Sequence, residues 1–192
     1  MTGRLVSIDP GRSGGIAWLD WLGDIHGEPM PAAQIPKLDK IRAVIAEQLP
    51  TLVIIEDVGY HRHGNSAQSS AALARDVGGI EATVRAMGVE IYWLPPKVWA
   101  KAPPFDLLPK YQRPPAATED RLKQKAKRDH DRLRKNLIKR MMAEHYPAIR
   151  MTLATADAVA MLHWGLQSKQ ISLTIETQNA LAEMRRGASE RD

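Results

Sequence analysis

The stretch Leu5–Asp20, LVSIDPGRSGGIAWLD, decides how this 192-residue sequence is interpreted. An apolar run of four residues ends at a carboxylate, Asp9, and a Pro- and Gly-rich turn follows. A second apolar run then begins at Ile16. Two apolar runs around such a turn predict a β-hairpin. Asp9 therefore stands at the end of a buried strand, where it can be a turn former, a phosphate neighbour or a metal ligand.

The turn itself carries three further residues of interest. Gly14 and Gly15 are interpreted as keeping side-chain bulk away so that a phosphate backbone can approach. Arg12 is a candidate contact for that phosphate, and a solvated turn arginine is the alternative.

Composition excludes several classes of protein. Hydrophobic residues make up 44% of the chain, which is ordinary for a globular domain. The chain has no cysteine, which excludes disulfides and thiolate zinc sites and is typical of a reducing cytoplasm. The first residues do not form a signal peptide, and no apolar run approaches the roughly 18 residues of a membrane span. We expect a cytoplasmic protein without a membrane partner.

The charge of the chain is concentrated in one segment. The net charge is +5, but residues 97–140 contain 14 lysines and arginines against 5 aspartates and glutamates. Charge runs are usually solvated helix faces. An excess this local favours a polyanion, above all nucleic acid, as the partner.

The apolar pattern predicts alternating strands and helices. Strands are expected at 5–8, 16–21, 52–55 and 89–94, with a weak one within 26–35. Helices are expected at 37–49, 66–87, 118–145, 152–167 and 174–186. For the third of these helices, an interruption near Asp129 is the alternative to one continuous helix. This order predicts an α/β fold with a mixed central sheet and helices on both faces.

The predicted buried faces and the irregular segments complete this picture. Leu38, Ile41, Ile45 and Leu49 are expected to face the core in the first helix, and Val159, Leu162 and Leu166 in the last core helix. Gly78 and Gly79 are interpreted as a point of close approach. The Pro-rich stretch 102–117 is expected to hold no regular element. We predict one domain over 1–168, with a basic insertion at about 102–118, and a polar, helical tail over 169–192.

Three carboxylates carry the chemistry in this scheme. Asp9 and Glu56 each follow an apolar strand, and Asp157 lies in the first turn of the last core helix. If the two strands are parallel neighbours, their axes lie about 4.8 Å apart and the two acids come together. Oxygen-only ligands favour Mg²⁺, or Mn²⁺ as a substitute, and two such ions are a common device for phosphodiester hydrolysis. Each acid alone is more often a turn residue, a solvated group or a partner for a helix dipole.

Five motifs follow one another along the chain: SIDPGRSGGIAWLD, LVIIEDV, YWLPPKVWAK, KNLIKRMMAEHYP and ATADAVAMLHWG. In this order they resemble the RuvC-like Holliday junction resolvases, especially their phage and prophage branch, within the RNase H-like (retroviral integrase) nuclease superfamily. The resemblance implies an RNase H-like fold and a metal-dependent crossover-junction endonuclease. It also implies that Asp9, Glu56 and Asp157 are the catalytic, metal-binding acids.

The resemblance also implies DNA contacts and an assembly. Lys97, Lys135 and Lys139 correspond to DNA-contacting positions, and Lys101 and Arg62 are added as candidates from their neighbourhood. A homodimer is implied, because C₂ symmetry matches the two strands that are cut in a four-way junction. The resemblance further implies that the cytoplasm is that of a bacterial cell or a phage-infected host. No nucleotide cofactor is expected.

The sequence departs from the family pattern in two places, at Ala154 and in the Pro-rich insertion. Resolvases of this type usually carry a fourth acid or polar ligand three residues before the last Asp, where this chain has Ala154. His163, Asp129 and Asp131 are weak candidates to replace it. The Pro-rich insertion is either a surface loop or an arm that becomes ordered on DNA. The loop YHRHGNS, residues 60–66, follows Glu56 and is expected at the rim of the site. The tryptophans are interpreted mostly as packing residues, with Trp99 undecided.

Three alternatives remain open at this point. One is another RNase H-like nuclease, which acts on flaps, branches or RNA. A second is a catalytically weak protein that binds DNA junctions, as the alanine at position 154 suggests. A third is a sugar kinase or actin-like ATPase, whose phosphate-binding turn is similar, although those folds need two lobes.

Overall fold

The computed structural model describes residues 4–11, 13–58, 66–112, 114–115 and 119–189. The strands are β1 (Leu5–Ile8), β2 (Gly15–Leu19), β3 (Ile25–Pro29), β4 (Leu52–Glu56) and β5 (Glu90–Leu94). The helices are α1 (Gln34–Gln48), α2 (Ala67–Ala86), α3 (Pro96–Trp99), α4 (Asp120–His145), α5 (Leu153–Gln167) and α6 (Lys169–Ser189). A 3₁₀ helix spans Phe105–Leu107.

The described strands form one five-stranded sheet in the order β3-β2-β1-β4-β5. The first hairpin is antiparallel, and β1, β4 and β5 run parallel to one another. The strands at 5–8 and 52–55 are thus parallel neighbours, which is the condition under which Asp9 and Glu56 come together. In β4 all five residues are buried, as expected for a central strand covered on both faces.

Helices cover both faces of the sheet. On one face, alternate residues of the strands pack against α1 and α2, with Val6, Val53 and Ile80 in this cluster. On the other face, Leu5 and Ile54 belong to a cluster that includes residues of α4, α5 and α6. The predicted α/β fold, with a mixed central sheet and helices on both faces, is confirmed. None of the helices in the described ranges is both long and apolar enough to cross a membrane.

The first helix differs from the prediction at both ends. It begins at Gln34 rather than Lys37, with Pro36 in its first turn, where the backbone N–H that proline lacks would have no helical partner. Leu49 was predicted to face the core. It is instead the C-cap in a left-handed conformation, with 64% of its surface exposed.

The Pro-rich stretch is more ordered than predicted in its described part. The 3₁₀ helix contradicts the expectation of no regular element, and Phe105 is 1% exposed. The ring of Phe105 packs edge-to-face on Trp99, with ring centroids 5.5 Å apart. The burial of Phe105, together with the packing of Ala102 and Leu108 on the core, thus holds this segment in place despite its proline density. Helix α4 runs without the break considered at Asp129.

The two C-terminal helices also extend the core. Helix α5 begins with a capping box between Thr152 and Thr155, and it is buried over most of its circumference. The predicted single stripe was therefore too narrow, and Leu166 is 38% exposed. Helix α6 begins at Lys169, before the predicted start, and its residues Ile171 and Ile175 join the core.

Candidate active site

The register of β1 and β4 brings the first two acids together. Ile8 pairs with Ile55 in the parallel ladder, so the next residues, Asp9 and Glu56, end neighbouring strands at the same edge of the sheet. Each of these acids is 8% exposed. Because the carboxyl ends of parallel strands share an edge, the sheet itself determines this placement.

Helix α5 supplies the third acid from above the sheet. Ser7 in β1 donates a hydrogen bond of 2.7 Å from its Oγ to the carbonyl of Ala158. This bond holds the helix beside the strand, one residue after Asp157. Because α5 begins at Leu153, Asp157 opens the second turn rather than lying in the first. Its side chain is 13% exposed.

The glycines of the opening turn lie against the protein's own backbone and do not have the role that was predicted for them. A Cβ on Gly15 would lie 2.3 Å from the carbonyl oxygen of Ala154, and one on Gly14 would lie 2.0 Å from that of Asp9. Both glycines are buried. The space that was assigned to an approaching phosphate is therefore occupied by the protein's own backbone.

A buried lysine holds the turn that follows Asp9. Lys37 of α1 is 0% exposed, and its Nζ donates to the carbonyl of Gly11 at 3.1 Å. The same Nζ forms an ion pair with Asp76 of α2 at 2.7 Å. Gly11 has a φ of +137°, which disfavours any side chain at this position. The turn is thus connected to both helices on that face of the sheet.

The three acids line one cleft of about 310 Å³. Its opposite wall is helix α4, which contributes Asp131, Arg134 and Lys135. The Nζ of Lys135 lies 3.4 Å from Oδ2 of Asp157. The cleft therefore combines acids at the strand ends with cations on a helix, an arrangement that suits a negatively charged substrate beside an acidic centre.

Two donors in this cleft lack a protein partner. Within the described residues, the buried atoms Nε1 of Trp99 and Nη2 of Arg134 have no hydrogen-bond acceptor. The guanidinium of Arg134 lies over the Trp99 ring, 5.5 Å from its centroid. Buried donors normally have a partner, because an unmade hydrogen bond there is costly. Both residues line the cleft, and the two atoms themselves are buried.

The donor atoms of the three acids have the chemistry of a site for a divalent metal ion. Asp9, Glu56 and Asp157 offer only carboxylate oxygens, the donor type that Mg²⁺ and Mn²⁺ prefer. In the described part of the chain, no group of three or more Asp, Glu, His or Cys side chains is placed to hold one ion. The donor chemistry thus fits a hard cation. The side chains would have to move closer together, and Lys135 would have to release Asp157.

The predicted DNA-contacting residues are divided between different surfaces. Lys135 lies in the cleft, whereas Lys97 and Lys101 line a neighbouring groove. Lys139, one helical turn after Lys135, is not among the residues that line either. Arg12 and Arg62 lie outside the described residues, as does most of the loop after Glu56, from Gly59 to Asn65.

Of the three weak candidates for a fourth metal ligand, one lines the cleft and two do not. His163 is 5% exposed, and its Nδ1 is 2.6 Å from the hydroxyl of Tyr146. Burial lowers the pKa of His163, and the neighbouring His145 lowers it further. It does not line the cleft, and neither does Asp129. Asp131 does line the cleft, beside His130, whose Nδ1 is 3.8 Å away.

Three residues of this region were missed or left undecided in the sequence. The position of Arg134 could have been predicted from helical spacing. Residues 131, 134, 135, 138 and 142 share one side of α4, and Ile138 and Met142 on that side are buried. Lys37 lies four residues before Ile41 on the same face, but a lysine at such a position is usually exposed. Trp99 proves to be a core residue at 1% exposure.

Comparison with known proteins gives a distant similarity. No protein-family model and no curated protein matches the chain. Among solved structures, the Thermus thermophilus RuvC structure is 15% identical, covers 82% of this chain and 89% of its own, and gives a TM-score of 0.48. T. thermophilus RuvC in complex with Holliday junction substrate is 17% identical. It covers 82% of this chain and 88% of its own, and gives a TM-score of 0.49. At such identities and TM-scores, the function of this chain has to be argued from its own cleft.

Proposed function

We propose that this protein is a divalent-metal-dependent endonuclease that cleaves branched DNA, with the four-way junction as its substrate. The observation that carries the proposal is the cleft, in which Asp9, Glu56 and Asp157 meet Arg134 and Lys135. The excess of positive charge over residues 97–140 supports a nucleic-acid substrate. The resemblance of the ordered sequence motifs to the RuvC-like resolvases supports the choice of a junction.

In this proposal the three acids hold Mg²⁺, or Mn²⁺ in its place. When bound, the metal would supply stabilisation of the negative charge that develops at the phosphate. Arg134 binds a phosphate oxygen through Nη2, which has no acceptor among the described residues. Lys135 exchanges its carboxylate partner, Asp157, for the DNA backbone. The lysine thereby neutralises Asp157 while the cleft is empty of substrate, and a phosphate once DNA is bound.

The finer features of the proposal rest on the resemblance alone. They are a homodimer, whose two sites would cut symmetric strands, and membership of the phage branch. The predicted location in the cytoplasm also stays a prediction. A dimer would be detected as a mass near twice 21.4 kDa by sedimentation at micromolar concentration. A monomer under these conditions would contradict symmetric cleavage.

The test is a cleavage assay on four-way, flap and linear DNA and on an RNA–DNA hybrid, each with and without Mg²⁺. Asp9→Asn should lower the cleavage rate by about two orders of magnitude or more, while junction binding in EDTA stays near normal. Asp24→Asn is the matched control, because Asp24 is an exposed aspartate in the turn between β2 and β3. It should cleave as the unsubstituted protein does. Unchanged cleavage by Asp9→Asn would refute the metal-binding role.

A second function is favoured by two observations. Ala154 stands where relatives carry a ligand, and the described side chains do not converge on a metal position. A protein that binds junctions without cutting them would bind in EDTA and leave the DNA intact after Mg²⁺ or Mn²⁺ is added. Cleavage that is strongest on the RNA–DNA hybrid or on flaps would instead indicate another RNase H-like nuclease.

A further inference from the structure

A second groove, of about 630 Å³, lies directly beside the acid cleft. It is formed by α3, the segment 100–111 and the middle of α4, and we call it the 100–111 groove. Pro96 and Arg134 line both the groove and the cleft, so the two are continuous. A strand whose phosphate lies in the cleft would therefore pass next to this groove.

The interior of the groove is apolar and aromatic. Phe105 and Leu108 line it, and the rings of Tyr111 and His130 meet edge-to-face with centroids 5.4 Å apart. A hydrogen bond of 2.9 Å joins Nε2 of His130 to the carbonyl of Pro109. The segment is thus attached to α4 rather than lying over open solvent, and Tyr111 keeps 38% of its surface exposed.

The charges around the groove have one predominant sign. Lys97, Lys101 and Lys110 line it and are exposed, and Arg134 stands at its junction with the cleft. Asp106 is the acid among its lining residues. An apolar interior with a cationic border complements a ligand that has a flat apolar ring and a negatively charged backbone.

We propose that the 100–111 groove binds one unpaired base of the DNA strand that enters the acid cleft. Tyr111 stacks on the base, and Lys97 and Lys101 bind the flanking phosphates. Paired bases inside a duplex cannot enter such a groove, whereas bases at a branch point or in a single strand can. The groove therefore makes the enzyme selective for DNA with unpaired nucleotides next to the cut. This inference rests on the proposed function, since it concerns the substrate of the same cleft.

The test compares binding of an oligonucleotide as a single strand and as a blunt duplex, in EDTA so that no DNA is cut. Tyr111→Ala should weaken binding of the single strand about fivefold or more, since base stacking on an aromatic ring contributes about 1–3 kcal/mol. Binding of the duplex should change less than twofold. Tyr111→Phe keeps the ring and should restore single-strand binding.

Trp21→Ala is the matched control, because Trp21 is an aromatic residue with 77% exposure in the turn between β2 and β3. It should leave both affinities unchanged. A Tyr111→Ala variant that binds the single strand as tightly as the unsubstituted protein, or weakens both DNAs equally, would overturn the proposal. If that variant also cleaves junctions normally, the groove alone is refuted. If the unsubstituted protein cleaves nothing but retains the Tyr111-dependent preference, the proposed nuclease function fails and the groove stands.

Discussion

Replacement of Lys37 by methionine should destabilise the protein strongly without unfolding it. The substitution leaves the carboxylate of Asp76 without its ion-pair partner and the carbonyl of Gly11 without its donor. Removing one partner of a buried ion pair costs about 3–5 kcal/mol. The side chain of Asp76 is 21% exposed, so water reduces this cost, and we expect a loss of about 2–4 kcal/mol.

Urea denaturation measures this loss, and hydrogen exchange measures its location. The amides of Asp9 and Gly14 donate to carbonyls of the same turn, so their exchange should accelerate in the variant. The double variant Lys37→Met/Asp76→Leu removes both charges and should recover part of the stability, because no lone charge is left.

Lys40→Met is the matched control on the same helix. Lys40 pairs with Glu28, whose side chain is 52% exposed, so its replacement should cost less than about 1 kcal/mol. The reasoning is refuted if Lys37→Met costs no more than Lys40→Met, or if the double variant is less stable than Lys37→Met alone.

Two further predictions concern the stability of the site. Gly15→Ala should cost about 2–3 kcal/mol in urea denaturation, because its Cβ would meet the backbone of Ala154, whereas Gly78→Ala, which meets nothing within 4 Å, should be neutral or stabilising. The pKa of His163 is lowered by burial, so below its ordinary value of 6.5 the unfolded chain binds more protons than the folded one. The free energy of unfolding should therefore decrease on acidification below about pH 6.5, by at most about 1.4 kcal/mol per pH unit. The variant His163→Gln should not show this contribution to the decrease.

The strand ends could be predicted from sequence because they follow from a simple rule. A short apolar run that stops at an acid places that acid at an edge of the sheet, and parallel pairing then brings Asp9 and Glu56 together. The prediction needed only the identity of neighbouring strands. It did not need the packing of any particular side chain.

The roles of Lys37 and Gly15 could not be predicted in the same way. Each role depends on a neighbour distant in sequence: Asp76 for the lysine and Ala154 for the glycine. Hydropathy places a lysine on the surface, and a glycine in a turn suggests conformational freedom. The structure shows that the lysine is buried with an ion-pair partner. It also shows that the glycine lies so close to an opposing backbone that no side chain would fit.

The cationic wall of the cleft depends on the Pro-rich segment, although the two are not adjacent in sequence. The residues of α4 that are buried in the core are Ile138 and Met142, both after Lys135. Before them, Arg134 contacts Trp99, His130 contacts Tyr111 and the carbonyl of Pro109, and Lys135 pairs with Asp157. Trp99 is in turn packed against Phe105. The segment 100–111 therefore positions Arg134 and Lys135 opposite the acids, so a change in this segment would alter the charge of the cleft while leaving its three carboxylates in place.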